Sequence, residues 1–335
     1  MSGEAKLAHI NVPWVEKYRP SSLDEIVSHE EIVRTLDTFL SQGMLPHLLF
    51  YGPPGTGKTS TVLACAKRLY KSKEFSSMVL ELNASDDRGI GTVRGPILNF
   101  ASTRTIFSSG FKLIILDEAD AMTKDAQNAL RRILEKFTEN VRFCLICNSL
   151  HRIIPAIQSR CTRFRFGPLD PELMVRCVRS VAEKEDIPLP DSGLEAILRL
   201  SHGDMRRALN TLQASHLAHE SVDQSAVYSC TGQPQPIEIE GIVSSMLNDT
   251  FCHCLNHLSQ VRSDRGLALS DILTESHLLL LKIEMPDKIK AKLIGRLSDI
   301  EYATSGGGNE KLQLSGMIGA FQEARDSVAM EGRAL

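Results

Sequence analysis

Eight consecutive residues have the composition and spacing of a loop that wraps around phosphate groups. The segment reads Gly52-Pro53-Pro54-Gly55-Thr56-Gly57-Lys58-Thr59. Glycines let backbone N–H groups turn inward around phosphates, and the N-terminus of the helix that begins near Ser60 favours negative charge. We expect Lys58 to reach the β- and γ-phosphates of a nucleotide, and the hydroxyl of Thr59 to bind Mg²⁺. A Gly/Pro turn without a ligand is the alternative.

Acidic residues end an apolar run further along the chain. The run reads Leu113-Ile114-Ile115-Leu116-Asp117-Glu118-Ala119-Asp120. Carboxylates at the C-terminal end of a buried strand lie where ligands bind in open α/β sheets. Asp117 is therefore placed to hold Mg²⁺, commonly through water, and Glu118 is placed to polarise an attacking water molecule. A solvated acidic turn is the alternative, and the phosphate loop earlier in the chain disfavours it.

The elements that must position these residues alternate between apolar runs and helical patterns. Apolar runs recur at 48–51, 78–82, 111–116, 141–147 and 162–166. The stretches between them have the spacing of amphipathic helices. Such alternation argues for a mostly parallel sheet with helices on both faces. The sequence therefore predicts an α/β nucleotide-binding core over residues 1–168.

The pattern changes after Pro168, where helical spacing takes over. Pro171 suits the first position of a helix, and Asp170 suits its N-cap. We expect a small all-α domain over residues 169–232. A second all-α domain is predicted over residues 233–335.

Composition limits the classes of protein to consider. The 335 residues carry a formal net charge of −3, whereas a protein that grips DNA with its whole surface would be more basic. A local DNA-binding cluster, a DNA surface shared with partner chains and no DNA contact all remain open. No apolar run approaches the roughly 18 residues that span a membrane, and the N-terminus lacks a signal-peptide pattern. The cysteines lie mostly in apolar segments, which favours reduced thiols inside a cell.

Further segments carry a family resemblance. They read Pro13-Trp14-Val15-Glu16-Lys17-Tyr18-Arg19-Pro20, Leu80-Glu81-Leu82-Asn83-Ala84-Ser85-Asp86-Asp87-Arg88-Gly89, Ser159-Arg160-Cys161 and Gly203-Asp204-Met205-Arg206-Arg207-Ala208-Leu209-Asn210. With the phosphate loop and Asp117-Glu118-Ala119-Asp120, they resemble the AAA+ ATPases. Among these, the chain most resembles the small subunits of replication factor C, the eukaryotic sliding-clamp loader, of the type numbered three in yeast and five in human.

This resemblance implies a fold and a set of nucleotide contacts. The fold would be an AAA+ P-loop core, a helical lid and a helical collar that holds a ring of subunits together. ATP and Mg²⁺ would be the ligands, bound by the phosphate loop and Ser60. The residues placed near the adenine are Val12, Tyr18, Arg19 and Pro20. Asn148 corresponds to sensor 1, near the γ-phosphate or the attacking water, and Arg206 corresponds to sensor 2, which reaches back from the lid.

The resemblance also gives Arg160 a role in a neighbouring subunit. It corresponds to an arginine finger that acts in trans on ATP held by the next chain, so the active form would be an oligomer. Arg160 joins Glu118, Lys58 and Asn148 in the predicted catalytic set. Asn83 would hold Glu118 in an inactive position until DNA arrives.

The function implied by the resemblance is the ATP-driven opening of the PCNA ring and its loading onto primer–template DNA for replication and repair. The chain would act in the nucleus, in a heteropentamer with other replication factor C subunits and with no membrane partner. Arg88 and Arg94 are expected to contact DNA phosphates, which position a protein without reading sequence. Two alternatives are a different AAA+ motor and a regulatory subunit that binds ATP without useful turnover.

Overall fold

The computed structural model describes residues 12–26, 28–86, 88–103 and 110–331, except for the side chains of Thr92, Arg94 and Glu331. The chain divides into two units, Met1–Val222 and Asp223–Leu335. The predicted boundaries after residues 168 and 232 remain a prediction. Within the described part of the chain, no helix has both the length and the apolar character that crossing a membrane requires.

A parallel sheet forms the centre of the first unit. Its described strands are β1 (Leu48–Tyr51), β2 (Val79–Asn83), β3 (Lys112–Asp117), β4 (Val141–Cys147) and β5 (Thr162–Arg165). Their order across the sheet is β2-β3-β4-β1-β5. Leu49 of β1 is paired with Leu145 of β4 on one side and with Arg163 of β5 on the other. The predicted parallel sheet is therefore confirmed.

Apolar side chains cover both faces of this sheet, because successive residues of a strand point to opposite faces. Leu49, Ile114 and Leu145 belong to a hydrophobic cluster on one face. Phe50 and Ile115 belong to a second cluster on the other face. Each of these five side chains is at most 1% exposed. Burying a side chain of this size stabilises the fold by about 1.5–3 kcal/mol, which keeps β1, β3 and β4 in the interior.

Helices surround the sheet and continue the first unit beyond it. Its described α-helices are Trp14–Lys17, Glu30–Ser41, Lys58–Leu69, Ser72–Met78, Ile90–Thr92, Leu98–Ser102, Lys124–Lys136, Pro155–Gln158, Pro171–Lys184, Asp191–Ser201 and Met205–Ala218. A π-helical stretch, Val93–Ile97, contains Pro96 and interrupts one helical region. Asp170 caps the helix Pro171–Lys184 by accepting the backbone N–H of Glu172 at 2.9 Å, as the sequence predicts. The last three helices named lie within the predicted lid, residues 169–232.

The second unit is all-α in its described residues. Its helices are Gln224–Thr231, Pro236–Asn248, Phe251–Arg265, Leu269–Leu280, Asp287–Ser305 and Glu310–Glu331. Leu280 is fully buried in the core of this unit, whereas Leu278 is 37% and Leu281 is 53% exposed. The four consecutive leucines at 278–281 therefore pack on one side within the chain and leave apolar surface on the other.

Candidate functional site

The strand order brings three chemically important chain segments to one edge of the sheet. The phosphate loop follows β1, Asp117 ends β3, and Asn148 follows β4. Because β3, β4 and β1 are neighbours, their carboxyl ends lie side by side. A cavity of about 460 Å³ opens there, and Lys58, Asp117, Glu118 and Asn148 are among the residues that line it.

The phosphate loop begins at a glycine that the packing requires. Gly52 has a φ of +146°, and a Cβ atom at this position would lie 1.9 Å from the carbonyl oxygen of Phe166. The loop then leads into the helix Lys58–Leu69. Residues Pro54 to Ser60 all line the cavity, whereas the first two predicted loop residues, Gly52 and Pro53, are not among its lining residues. The loop can therefore present its backbone N–H groups and the helix N-terminus to a phosphate.

Lys58 lies inside this loop. Its Nζ donates to the carbonyl oxygens of Gly52 at 2.9 Å and Pro53 at 2.8 Å. The residue is only 6% exposed. Burial lowers the pKa of Lys58 below its ordinary value, and the nearby carboxylate of Asp117 opposes this effect. The ammonium group of Lys58 is buried and donates to neutral carbonyl oxygens. Negatively charged phosphate oxygens would bind it more strongly than these carbonyl oxygens do.

The acidic run meets the helix after the phosphate loop. The hydroxyl of Thr59 donates to Asp117 Oδ2 at 2.7 Å, and the other carboxylate oxygen accepts the backbone N–H of Glu118 at 2.8 Å. Glu118 has a left-handed backbone, with a φ of +51°, and its side chain is exposed at the cavity. Non-glycine residues in this conformation are strained and cluster at functional sites.

Two polar residues near the acidic run have backbone partners. Asp120 Oδ2 accepts the backbone N–H of Ser149 at 3.2 Å and so holds the segment that follows Asn148. The local sequence around Asp120 gives no sign of this positioning role, although Asp120 belongs to the acidic run. Asn83 lines the cavity, and its Oδ1 accepts the backbone N–H of Ser85 at 3.0 Å.

The N-terminal signature, residues 13–20, contributes to the lining of the same cavity. Tyr18, Arg19 and Pro20 line it, whereas Val12 does not, and Val15 is the lining valine of this segment. Arg19 Nε donates to the hydroxyl of Ser60 at 3.3 Å, which ties the signature to the helix after the phosphate loop.

The lid completes the cavity with apolar side chains that the sequence analysis missed. Leu173, Cys177 and Leu209 line it from the helices Pro171–Lys184 and Met205–Ala218. Their spacing is that of ordinary core residues in amphipathic helices, so nothing in the sequence separated them from the rest of the lid.

The predicted sensor 2 residue lies at the start of a lid helix that is docked on the phosphate loop. Arg206 is exposed and lines the cavity. Met205 donates its backbone N–H to the carbonyl oxygen of Gly55 at 3.2 Å, and Asp204 caps the helix by accepting the N–H of Arg207 at 3.1 Å. The first turn of this helix, with Arg206, is thereby fixed over the loop.

Arg160 is not among the residues that line this chain's cavity. It follows the helix Pro155–Gln158, and its Nη2 pairs with Glu135 Oε1 at 2.6 Å. Its Nη1 donates to the carbonyl oxygen of Ala156 at 2.7 Å, and the side chain is 39% exposed. An exposed guanidinium held on the surface by a partly exposed carboxylate is available to another molecule.

The predicted DNA contacts are only partly described. Arg88 is exposed, and its carbonyl oxygen accepts the backbone N–H of Thr123 at 3.2 Å. Arg94 lies in the π-helical stretch, and its side chain is outside the described residues.

Comparisons with known proteins match three parts of the chain to described families. Residues 48–169 match the ATPase family associated with various cellular activities (AAA), and residues 176–217 match the RCF1/5-like, AAA+ ATPase lid domain. Residues 234–320 match the replication factor C C-terminal domain. These matches run through the sheet, the lid and the second unit in turn.

Similar proteins cover almost the whole chain. Replication factor C subunit 5 of Homo sapiens is 59% identical over 321 residues, which is 96% of this chain and 94% of the human protein. Replication factor C subunit 3 of Schizosaccharomyces pombe is 52% identical over 95% of this chain and 93% of its own length. Among solved structures, the RuvB Holliday junction branch migration motor of Thermotoga maritima has a TM-score of 0.52 at 16% identity, over 80% of this chain and 99% of RuvB. The likeness to RuvB shows a shared AAA+ fold.

Proposed function

The chain belongs to the replication factor C subunit family, and we propose that it binds and hydrolyses ATP as one subunit of the loader that opens the PCNA ring and places it on primer–template DNA. The predicted family, and the type numbered three in yeast and five in human, are confirmed by its relatives. The observation that carries the ATPase proposal is the meeting of the phosphate loop, Asp117, Glu118 and Asn148 at one cavity.

The residues at the phosphate end fit ATP with Mg²⁺. Lys58 would exchange the two loop carbonyl groups for β- and γ-phosphate oxygens. Thr59 and Asp117 present a hydroxyl and a carboxylate oxygen 2.7 Å apart. These are hard oxygen ligands of the kind that Mg²⁺ takes, directly or through water, together with substrate phosphates. The ion, when bound, would neutralise charge that develops on the phosphate oxygens.

The attacking water would be handled by Glu118 and Asn148. Both side chains are exposed to the same cavity, from the ends of neighbouring strands. Glu118 would polarise the water by accepting a hydrogen bond, and Asn148 would orient the water or the γ-phosphate. Asp120 would keep Asn148 in place through its hydrogen bond to Ser149. Asn83 would act on Glu118 from the end of β2.

Two arginines would contact nucleotide phosphates, one in this chain's site and one in the neighbouring subunit's site. Arg206 would contact phosphate from the lid, so nucleotide binding and lid position would depend on each other. Arg160 would act in trans on ATP held by the neighbouring subunit, where such fingers raise the rate roughly 10³–10⁵-fold. Arg160 does not line the cavity of its own chain, which supports a role at the neighbouring subunit's site. The complex would be a heteropentamer of replication factor C subunits.

DNA binding and cellular location complete the proposal. Arg88 and Arg94 would each contribute a phosphate contact, and several subunits together would supply a sufficient surface. This arrangement agrees with a net charge of −3 on this chain. Loading a clamp onto primer–template DNA places the complex in the nucleus.

ATPase measurements on the chain alone, and on the chain with its partner subunits, PCNA and primed DNA, test the proposed function. We expect weak turnover alone and a large increase with all components. Full activity of the isolated chain, indifferent to clamp and DNA, would instead support a different AAA+ role. Glu118→Gln in this chain alone separates hydrolysis from sensing: unchanged loading by the complex would support a subunit that only senses ATP.

A further inference from the structure

The N-terminal signature is attached to the lid. The backbone N–H of Trp14 donates to Gln213 Oε1 at 3.1 Å. The Trp14 ring stacks on His216, with 5.9 Å between ring centroids and 28° between ring planes. Gln213 and His216 both belong to the helix Met205–Ala218. The segment that contributes Tyr18 and Arg19 to the cavity is therefore positioned from the lid.

One carboxylate of the lid, that of Glu185, also binds the N-terminal segment. Glu185 follows the helix Pro171–Lys184 as its C-cap. Its Oε1 accepts from Lys17 Nζ at 2.5 Å and also from the hydroxyl of Tyr18. The side chain is 18% exposed, so water competes only partly for these bonds. Glu185 thus holds the outer end of the Tyr18 side chain.

Tyr18 is one of several apolar or aromatic residues that line the cavity, and the set named next is called the base slot from here on. Val15, Tyr18 and Pro20 line the cavity from the N-terminal segment, and Leu173, Cys177 and Leu209 line it from the lid. Ligand sites are commonly lined by apolar and aromatic groups of this kind. A planar base suits such groups, whereas the phosphates suit the loop that carries Lys58.

We propose that Glu185 is a positioning residue for nucleotide binding: it fixes the Tyr18 ring through the phenolic hydroxyl and so sets the slot that receives the base. The inference rests on the proposed ATP-binding function and deepens it. Glu185 itself does not line the cavity, so it acts through Tyr18. Binding of the base is thereby sensitive to the position of the lid.

Titration calorimetry of the full-length chain with two ligands tests this inference. ADP reports on the base slot and the phosphate loop together, whereas pyrophosphate reports on the loop alone. We expect Glu185→Ala to weaken ADP binding about fivefold, the size of the lost hydrogen bond to Tyr18, and to leave pyrophosphate binding unchanged. Glu185→Gln should recover most of the ADP affinity, because its amide oxygen still accepts from Tyr18.

Two further variants keep the test independent of folding defects. Tyr18→Phe removes only the hydroxyl, so it should weaken ADP binding to the same degree, and adding Glu185→Ala to it should weaken binding little further. Glu183→Ala removes an exposed carboxylate from the same helix and should bind both ligands as the unchanged chain does. Melting temperatures would show that each variant is folded.

The contradicting outcomes are distinct. Normal ADP affinity in folded Glu185→Ala, or an equal loss of ADP and pyrophosphate affinity, would overturn the positioning role. Failure of the unchanged chain to bind ADP would instead overturn the proposed ATP-binding function.

Discussion

The hydroxyl of Thr59 donates a hydrogen bond to Asp117 Oδ2 at 2.7 Å. The bond joins the first turn of the helix after the phosphate loop to the last residue of β3. Two motifs that are far apart in the chain therefore meet in one site, and they bring together two oxygen atoms that would bind Mg²⁺. Glu118 follows directly, and its backbone N–H is bound by the same carboxylate.

Asp117→Asn should uncouple ATP binding from Mg²⁺. The amide oxygen can still accept the backbone N–H of Glu118 while the amide NH2 donates to the Thr59 hydroxyl, so both contacts are kept and the negative charge that favours the cation is lost. We expect the gain in ATP affinity on adding Mg²⁺ to shrink at least about tenfold, since a charge pair near a protein surface is worth several kcal/mol. Fluorescent ATP titrations with Mg²⁺ and with EDTA would measure it. An undiminished Mg²⁺ effect would contradict the assignment.

Arg160→Ala should lower the ATPase activity of the complex without weakening ATP binding by this chain. The Arg160 side chain is paired with Glu135, and it does not line the cavity of its own chain. At the neighbouring site the rate should fall about 10³-fold or more. Pre-steady-state phosphate release by the complex and ATP titration of the single chain would measure the two effects. Arg176→Ala, an exposed lid residue, provides the charge-matched control. Reduced ATP affinity of the single chain would argue for a role in cis.

Gly55→Ala should destabilise the first unit through the lid. A Cβ atom there would lie 1.6 Å from Asp204 Oδ1, and the φ of Gly55 is +66°. Backbone strain alone costs about 1–2 kcal/mol, and displacement of Asp204 adds to it. Combining the change with Asp204→Ala should therefore cost less than the sum of the two single changes.

Gly57→Ala provides the control for this prediction. Its φ is +91°, but a Cβ atom there would have no neighbour within 4 Å. Gly57→Ala should destabilise the unit through backbone strain alone. Its effect on the free energy of unfolding should therefore add to that of Asp204→Ala. Urea unfolding of the three single variants and the two double variants would measure the coupling, and additivity at Gly55 would refute the proposed contact.

Cys177 should report nucleotide occupancy by its rate of alkylation. The thiol lines the base slot and is partly buried. Burial raises the pKa of Cys177 above its ordinary value, so less of the reactive thiolate is present near pH 8, and the rate should keep rising as the pH moves beyond the usual thiol range. ATP should slow the reaction severalfold at Cys177 and not at the exposed Cys252. Mass spectrometry would measure both sites, and equal rates with and without ATP would place the base elsewhere.

Much of the site could be predicted because its residues are arranged locally. The phosphate loop needs glycines and a lysine at fixed spacing between a strand and a helix, and that pattern is visible in the chain. Asp117 and Glu118 follow an unbroken apolar run, which marks a strand buried on both faces. The strands, the helical lid and the cap at Asp170 follow from the same short-range rules.

The contacts that could not be predicted join residues far apart in the chain. The order β2-β3-β4-β1-β5 decides that Asn148 lies beside Asp117. Neither the bond from Ser149 to Asp120 nor that from Tyr18 to Glu185 leaves a spacing pattern in the sequence. The N-terminal signature indicated a base site, but packing decides that Val15 and not Val12 lines the cavity.

The sequence by itself determined three features of this protein: the phosphate loop, the acidic end of a strand, and the alternation of strands and helices. Each of these depends only on residues that are neighbours in the chain. Only the tertiary structure decided which strand ends meet, which lid side chains form the base slot, and where Glu185 holds Tyr18. Those relationships depend on how apolar faces pack across the whole unit, and many sequences with the same local patterns would pack in other ways.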